Sequence, residues 1–389
     1  MASGAGAVSL HPVFGHTDLQ TSLSRALATG SLPPSLLIHG PRGVGKQRLA
    51  LWLGQLLLCP ESGPEGPCGE CKGCRMAVNL EHPDLHWYFP LAKPKGVRPA
   101  KLSEALEKAR YDTIAERKAR PLRPASAPAE PTGLYLAVAQ ALRSHANRRP
   151  AVGLRQVFVI GDAETLVPQE SSQEAANALL KLLEEPPTST LIILTSSEPG
   201  RLLPTIRSRT MPLHLPPLAP DAVEQFLVEV GGVSQEDARR ASHLGRGSIG
   251  RALGFLPIEG DPGPLETLRT QAFELLHAAS DTDPGAVYRK SLELSSTRSR
   301  GLMPLLELLE DALRDLSVTA ARASEGLINS DREDLLERIR EARDIHPMAV
   351  AKAFRHLEEA KELVAGNVNP QLIVAGLLTR IREEFVGNP

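Results

Sequence analysis

A glycine-rich stretch that ends in a lysine is the first feature of the sequence that could do chemistry. It runs Gly40-Pro41-Arg42-Gly43-Val44-Gly45-Lys46, between an apolar strand candidate at 35–39 and an apolar helix candidate at 47–58. In this setting glycines let backbone N–H groups face phosphate oxygens, the helix N-terminus adds a positive dipole, and the lysine reaches the terminal phosphates. The sequence therefore predicts a nucleotide phosphate site that includes Gly40, Gly43, Gly45 and Lys46.

Two positions of this site depart from what hydrolysis needs. Where a Ser or Thr hydroxyl would hold Mg²⁺, the chain has Gln47, whose amide on a longer stem is a poorer ligand in that geometry. A second strand candidate, 156–160, supplies Asp162 as a carboxylate at its carboxyl end. The next residue, where related ATPases carry the glutamate that orients the attacking water, is Ala163, and Glu164 is expected to point elsewhere. ATP binding stays open, whereas little or no hydrolysis is predicted.

All four cysteines of the chain fall in residues 59–74. Their spacing, C-x8-C-x2-C-x2-C with glycines between, is typical of a tetrahedral thiolate zinc site, and no ligand position is left for water. A redox pair at Cys71 and Cys74 is the alternative. The favoured interpretation is a structural zinc ion, and its predicted ligands are Cys59, Cys68, Cys71 and Cys74.

Composition excludes several classes of protein. Lys plus Arg number 44 against 46 Asp plus Glu, a net charge of -2, which argues against a protein that coats nucleic acid through bulk positive charge. Aromatic residues make up 4%, too few for broad base-stacking surfaces. No apolar run reaches the 18 or so residues that span a bilayer, and nothing at the start marks secretion. We expect a cytoplasmic protein without a membrane anchor.

Periodicity divides the chain into an α/β part and a helical part. Strand and helix candidates alternate up to about Pro220, which predicts a parallel sheet covered by helices on both faces. Beyond it only helical patterns occur. We expect a phosphate-loop domain over 1–217 with a zinc module at 59–74, a helical lid over 218–262 and an all-α collar or oligomerisation domain over 263–389. Residues 91–133, rich in proline and charge, are predicted to form an insertion outside the core, with a disordered Pro/Ala-rich end.

Several stretches resemble one family, the AAA+ subunits of bacterial clamp loaders. A zinc module after the phosphate-loop helix is typical of that group. Further matches are Ala175-Ala176-Asn177-Ala178-Leu179-Leu180-Lys181-Leu182-Leu183-Glu184-Glu185-Pro186-Pro187, Leu194-Thr195-Ser196-Ser197-Glu198-Pro199, Ile206-Arg207-Ser208-Arg209-Thr210 and Asn369-Pro370-Gln371-Leu372. In the third stretch Thr210 replaces the family's Cys, and on the lid Gly250 stands where motor subunits carry an arginine.

The resemblance implies a role within a ring. Some members of the family are ATPase motors with intact motifs, whereas others have degraded pockets and lend an arginine to a neighbour's ATP. The sequence is similar to the second kind, and the motif match gives Arg209 the part of an arginine finger in trans. The implied partners are the delta and gamma/tau subunits in a hetero-pentamer and, through that complex, the sliding clamp and primer–template DNA.

Two alternatives stay open at this point. The first is a gamma/tau-like motor subunit, which the zinc module suits equally but Gln47, Ala163 and Gly250 disfavour. The second is a stand-alone P-loop nucleotide hydrolase, which would explain the loop but not the Ser-Arg motif followed by a helical tail.

Overall fold

The computed structural model describes residues 13–122, 124, 132–166, 174–294, 299–323, 326–364, 366 and 368–386. The chain divides into two compact units, one up to Leu253 and one from Gly254 onward. No helix in the described residues is long and apolar enough to span a bilayer. The predicted disordered end of the insertion lies largely outside the described residues.

The first unit contains every strand of the described chain. The strands are β1 Ser35–His39, β2 Leu85–Tyr88, β3 Leu91–Ala92, β4 Thr132–Gly133, β5 Gln156–Ile160, β6 Thr190–Ser196 and β7 Met211–His214. Its helices are α1 Thr17–Ala28, α2 Lys46–Leu58, α3 Lys72–Val78, α4 Leu102–Ala119, α5 Leu136–Ala146, α6 Glu174–Glu184, α7 Pro204–Arg207, α8 Pro220–Glu229, α9 Gln235–Gly245 and α10 Ile249–Ala252.

A five-stranded parallel sheet in the order β2-β5-β6-β1-β7 forms the centre of this unit. Strands β5 and β6 are buried along their whole length, as expected of a parallel sheet with helices on both faces. Short apolar runs between turn residues favour strands, so β1 and β5 form at the bounds that the sequence predicted. The α/β prediction is confirmed. All strands of the main sheet present their carboxyl ends at one edge, where α2 begins.

The insertion is not the arm outside the core that the sequence predicted. Its helix α4 packs against α5 and β3, Arg110 donates to the Trp87 carbonyl of the edge strand β2 at 3.3 Å, and Leu106 is buried in the hydrophobic core. The Arg110 guanidinium lies 4.8 Å from the Tyr88 ring centroid, and the Arg117 guanidinium lies 3.9 Å from that of Phe89. Contacts between arginine and aromatic faces are favourable when partly desolvated. They carry no periodic sequence signal, and for this reason the docking was missed.

In its described residues the second unit consists of helices joined by turns and loops. Its helices are α11 Pro264–Ser280, α12 Gly285–Glu293, α13 Met303–Ala320, α14 Glu333–Arg343, α15 Pro347–Val364 and α16 Pro370–Val386. A buried polar network crosses its core: Arg269, 1% exposed, donates to Asn329 at 2.6 Å and to Glu266 at 3.0 Å, and also pairs with Asp331. Asp315, also buried, accepts the Asn329 side chain at 2.7 Å. Because these buried charges are paired and hydrogen-bonded, they fix the helices without an uncompensated desolvation cost.

Candidate functional site

The predicted phosphate loop lies at the carboxyl edge of the sheet, between β1 and α2, as its sequence context required. Lys46 opens α2 and is 5% exposed. Its Nζ donates to the carbonyl oxygens of Gly40 at 2.9 Å and Pro41 at 2.7 Å and to the Ser197 hydroxyl at 2.9 Å. The lysine that would bind phosphate is therefore hydrogen-bonded to its own loop and to the residue that follows β6.

Gln47 occupies the place where a magnesium-binding hydroxyl would be needed. Its Nε2 donates to Asp162 Oδ2 at 3.2 Å, so the structure brings these two predicted site residues together. A Cβ added to Gly161 would lie 2.7 Å from the Gln47 amide nitrogen. The glycine leaves room for the longer amide, whereas a side chain at 161 would displace the end of Gln47.

The same amide is held from its other side by the edge strand. Trp87 of β2 donates its indole N–H to Gln47 Oε1 at 3.1 Å. The Arg117 guanidinium of the insertion helix lies 4.7 Å from the Trp87 ring centroid. Arg48, the residue after Gln47, donates to the Pro121 carbonyl at 2.7 Å. The insertion therefore contacts the nucleotide pocket through Trp87 and Arg48, a connection that the sequence did not predict.

Glu164 is a site residue that sequence reasoning set aside. It is 7% exposed, and its Oε1 accepts the backbone N–H of Ser197 at 3.1 Å, beside the hydroxyl that binds Lys46. In the described residues its Oε2 has no hydrogen-bond partner. Burial raises the pKa of the Glu164 carboxyl, although the hydrogen bond from Ser197 opposes the rise. The expectation that this side chain points away from the pocket was wrong, because Asp162 at a φ of 48° turns the chain into a 3₁₀ turn over Ala163–Leu166.

The helical segment after β7 closes over the phosphate loop within the same unit. Ser248 donates its hydroxyl to the Arg42 carbonyl at 2.8 Å, and the Gly250 N–H donates to the Gly43 carbonyl at 3.0 Å. A Cβ on Gly43 would lie 2.5 Å from the Ser248 hydroxyl oxygen, and φ at Gly43 is 78°, so glycine is required there. Arg251 donates its Nε to the Leu244 carbonyl at 3.2 Å, on α9. The Ser248 hydroxyl and the Gly250 backbone N–H thus face the loop.

The four cysteines converge as the spacing predicted. Their sulfur atoms all lie within 4.8 Å of one another, with Cys59–Cys68 at 3.5 Å and Cys68–Cys74 at 3.9 Å. Tetrahedral coordination by thiolates at about 2.3 Å separates the sulfurs by roughly 3.8 Å. Successive backbone N–H groups point at the sulfurs: Cys68 donates to Cys59, Cys71 to Cys68 and Cys74 to Cys71, at 3.3–3.4 Å. The cluster is positioned to hold one metal ion.

Arg209 lies away from these contacts, after the short helix α7. Its Nη2 lies 2.8 Å from Glu184 Oε1, at the end of α6, and its Nη1 donates to the Thr205 carbonyl at 3.0 Å. The side chain is 35% exposed. The structure therefore leaves Arg209 at the surface, anchored at two points.

Burial lowers the pKa of the Lys46 ammonium to about 8, although the charges of Asp162 and Glu164 oppose the shift. The folded state thus disfavours the protonated lysine. The penalty of about 3 kcal/mol acts fully below pH 8 and disappears as the pH rises toward 10.5, where the unfolded chain also loses the proton.

Replacing Lys46 by methionine removes this penalty. We therefore expect the free energy of unfolding of Lys46→Met, measured relative to that of the wild type, to be more favourable at pH 7 than at pH 10. Urea unfolding at both pH values measures this, with the exposed Lys181→Met as control. A difference that is constant with pH would contradict it.

Comparisons with known proteins identify relatives of this chain. The model of the family described as DNA polymerase III, delta subunit, matches residues 15–219, just over half of the chain. The DNA polymerase III subunit delta' of Bacillus subtilis is 31% identical over 207 residues, which cover 53% of this chain and 49% of that protein. The subunit delta' of Escherichia coli is 28% identical over 351 residues, 89% of this chain and 88% of that protein. The subunit gamma/tau of Mycobacterium tuberculosis H37Rv is 28% identical over 349 residues, 86% of this chain and 49% of that protein.

The chain therefore spans about half the length of two of these relatives and most of the third. The family match coincides with the phosphate loop, the cysteine cluster, the sheet and Arg209, all of which lie in residues 15–219. The chain belongs to the DNA polymerase III delta-prime family of clamp-loader AAA+ subunits.

Proposed function

We propose that this chain is the delta'-like subunit of a bacterial DNA polymerase III clamp loader, with little or no ATPase activity of its own. The observation that carries the proposal is the Gln47–Asp162 hydrogen bond at 3.2 Å. An amide lies where a magnesium-binding hydroxyl is needed, and Ala163 stands where related ATPases carry the glutamate that orients the attacking water. A P-loop ATPase needs the metal to neutralise charge on the transferred phosphoryl group. Without that ion the pocket lacks the means to stabilise the transition state.

The remaining parts of the proposal concern the ring. Arg209 at the surface supplies the arginine finger to ATP bound by a neighbouring gamma/tau subunit. Residues 218–262 form the lid and 263–389 the collar that holds the hetero-pentamer together with delta. In this way the subunit helps to place the sliding clamp on primed DNA. The cysteine cluster holds a structural Zn²⁺, because four thiolates without an open position match its tetrahedral preference.

A gamma/tau-like motor is the second candidate, supported by the match to the Mycobacterium protein over 86% of this chain. The two candidates differ in what the isolated chain does. The delta'-like subunit is expected to show no magnesium-dependent phosphate release alone, yet to raise DNA-stimulated hydrolysis when added to the delta and gamma/tau subunits of the same organism. Steady-state phosphate release from the chain alone and from the mixture measures both quantities. Brisk turnover by the chain alone would favour the motor and overturn the proposal.

A further inference from the structure

The contact between Arg209 and Glu184 joins two elements that are separate in the sequence. Glu184 is the last residue of α6, and Arg209 follows α7. The ion pair, Nη2 to Oε1, measures 2.8 Å, and the two side chains are 35% and 46% exposed. A second anchor, the Thr205 carbonyl, accepts from Nη1 at 3.0 Å. The guanidinium is therefore held from two sides by elements of regular structure.

Stability does not account for a glutamate at this position. Exposed ion pairs contribute little to folding, because solvent screens them and both side chains lose freedom. A carboxylate at the C-terminal end of a helix is also unfavourable, because the helix dipole is negative there. Glu185, the next residue, is exposed and shares this disadvantage. Glu184 differs from Glu185 in its ion pair with Arg209. The role of this glutamate is therefore sought in what the pair does for the arginine.

The pair restricts Arg209 without consuming all of its hydrogen-bond donors. A guanidinium has five N–H groups. The contacts to Glu184, to the Thr205 carbonyl and, at 3.4 Å, to the Ser208 hydroxyl engage at most three of them. At least two N–H groups remain for an incoming anion. A flexible arginine would lose rotamer freedom when it met a phosphate, whereas one that is already held loses less.

We propose that Glu184 is a positioning residue for Arg209. It holds the guanidinium at the surface of this subunit in the orientation that meets the γ-phosphate of a neighbour's ATP. This inference rests on the proposed function of Arg209. Glu184 itself contacts no nucleotide; its effect on the reaction passes entirely through the arginine, since preorganised donors stabilise a transition state only while they are held in place.

The test uses the reconstituted clamp loader with Glu184→Ala, Glu184→Gln and, as matched control, Glu185→Ala. Glu184→Ala is expected to lower kcat at the site that this subunit completes by about five- to tenfold, the size of the net contribution of one typical hydrogen bond. KM for ATP should not change, because the neighbour's own residues bind the nucleotide. Glu184→Gln keeps an oxygen acceptor and should recover at least half of the lost rate. Glu185→Ala should behave as the wild type.

The outcomes distinguish the positioning role of Glu184 from the arginine-finger role of Arg209. In an Arg209→Ala background, Glu184→Ala should have no further effect. An unchanged kcat in Glu184→Ala, or an equal loss in the Arg209→Ala background, would overturn the positioning role alone. An unchanged rate in Arg209→Ala itself would instead overturn the proposed function. If Glu184→Ala does not assemble, Glu184→Asp replaces it: the charge remains but no longer reaches Arg209, and the same loss of kcat is expected.

Discussion

Replacement of Arg209 by alanine is expected to silence one ATP site of the reconstituted clamp loader while the other sites continue to turn over. An arginine supplied in trans contributes about 10³–10⁵ in rate, because its planar fork neutralises charge that develops on the γ-phosphate. In single-turnover hydrolysis with clamp and primed DNA, the phase that belongs to this site should slow by about 10³-fold. The steady-state rate should fall only by that site's share.

Two variants control for this loss. Arg207→Ala removes an exposed arginine two residues earlier, on α7, and should leave every phase unchanged. Arg209→Lys keeps the charge without the planar fork and should recover only a small part of the rate. Size-exclusion chromatography shows whether each variant assembles. A fully assembled Arg209→Ala complex whose trace overlays that of the wild type would exclude the finger role.

The sequence predicted the phosphate loop and the cysteine cluster, because both are formed by residues that are close together in the chain. The apolar run of β1 followed by the glycine loop and Lys46 needs only neighbouring residues to be recognised, and the structure has it at those bounds. The convergence of four cysteines is likewise a matter of short spacing and tight turns. The helix pattern after Pro220 also held, because long amphipathic segments carry a strong periodic signal.

What the sequence did not predict depends on contacts between distant residues. Strand β2, with Trp87, is four residues long and precedes a proline-rich stretch, so its pattern is weak; it forms because it pairs with β5. Gly161 has no side chain that a sequence motif could use, and only the folded structure shows that it leaves room for the Gln47 amide. Trp87, stacked under Arg117 of the insertion, then fixes that amide from the other side. The Gln47 amide is thus held by tertiary contacts with residues that lie 40 and 115 positions away in the sequence.

Cys74→Ser is expected to abolish metal binding and to destabilise the first unit by several kcal/mol. Cys74 is fully buried at the start of α3, and its sulfur lies 3.9 Å from that of Cys68. With three thiolates a structural zinc site is no longer closed, and in such sites the free energy of metal binding contributes directly to folding. Metal analysis of the purified chain should fall from one zinc to none, and urea unfolding should shift to lower concentration. A strong chelator should shift the wild type in the same direction.

Local packing carries the effect of metal loss beyond the cysteines. Helix α3 packs on α2, whose first residue is Lys46, and Trp52 of α2 lies 3.5 Å from where a Cβ on Gly66 would be. Metal loss should therefore alter tryptophan fluorescence before global unfolding. Ser62→Ala, an exposed change within the same loop, should alter neither metal content nor unfolding. One bound zinc in Cys74→Ser, or chelation without any loss of stability, would show that the four thiolates do not act together as a structural site.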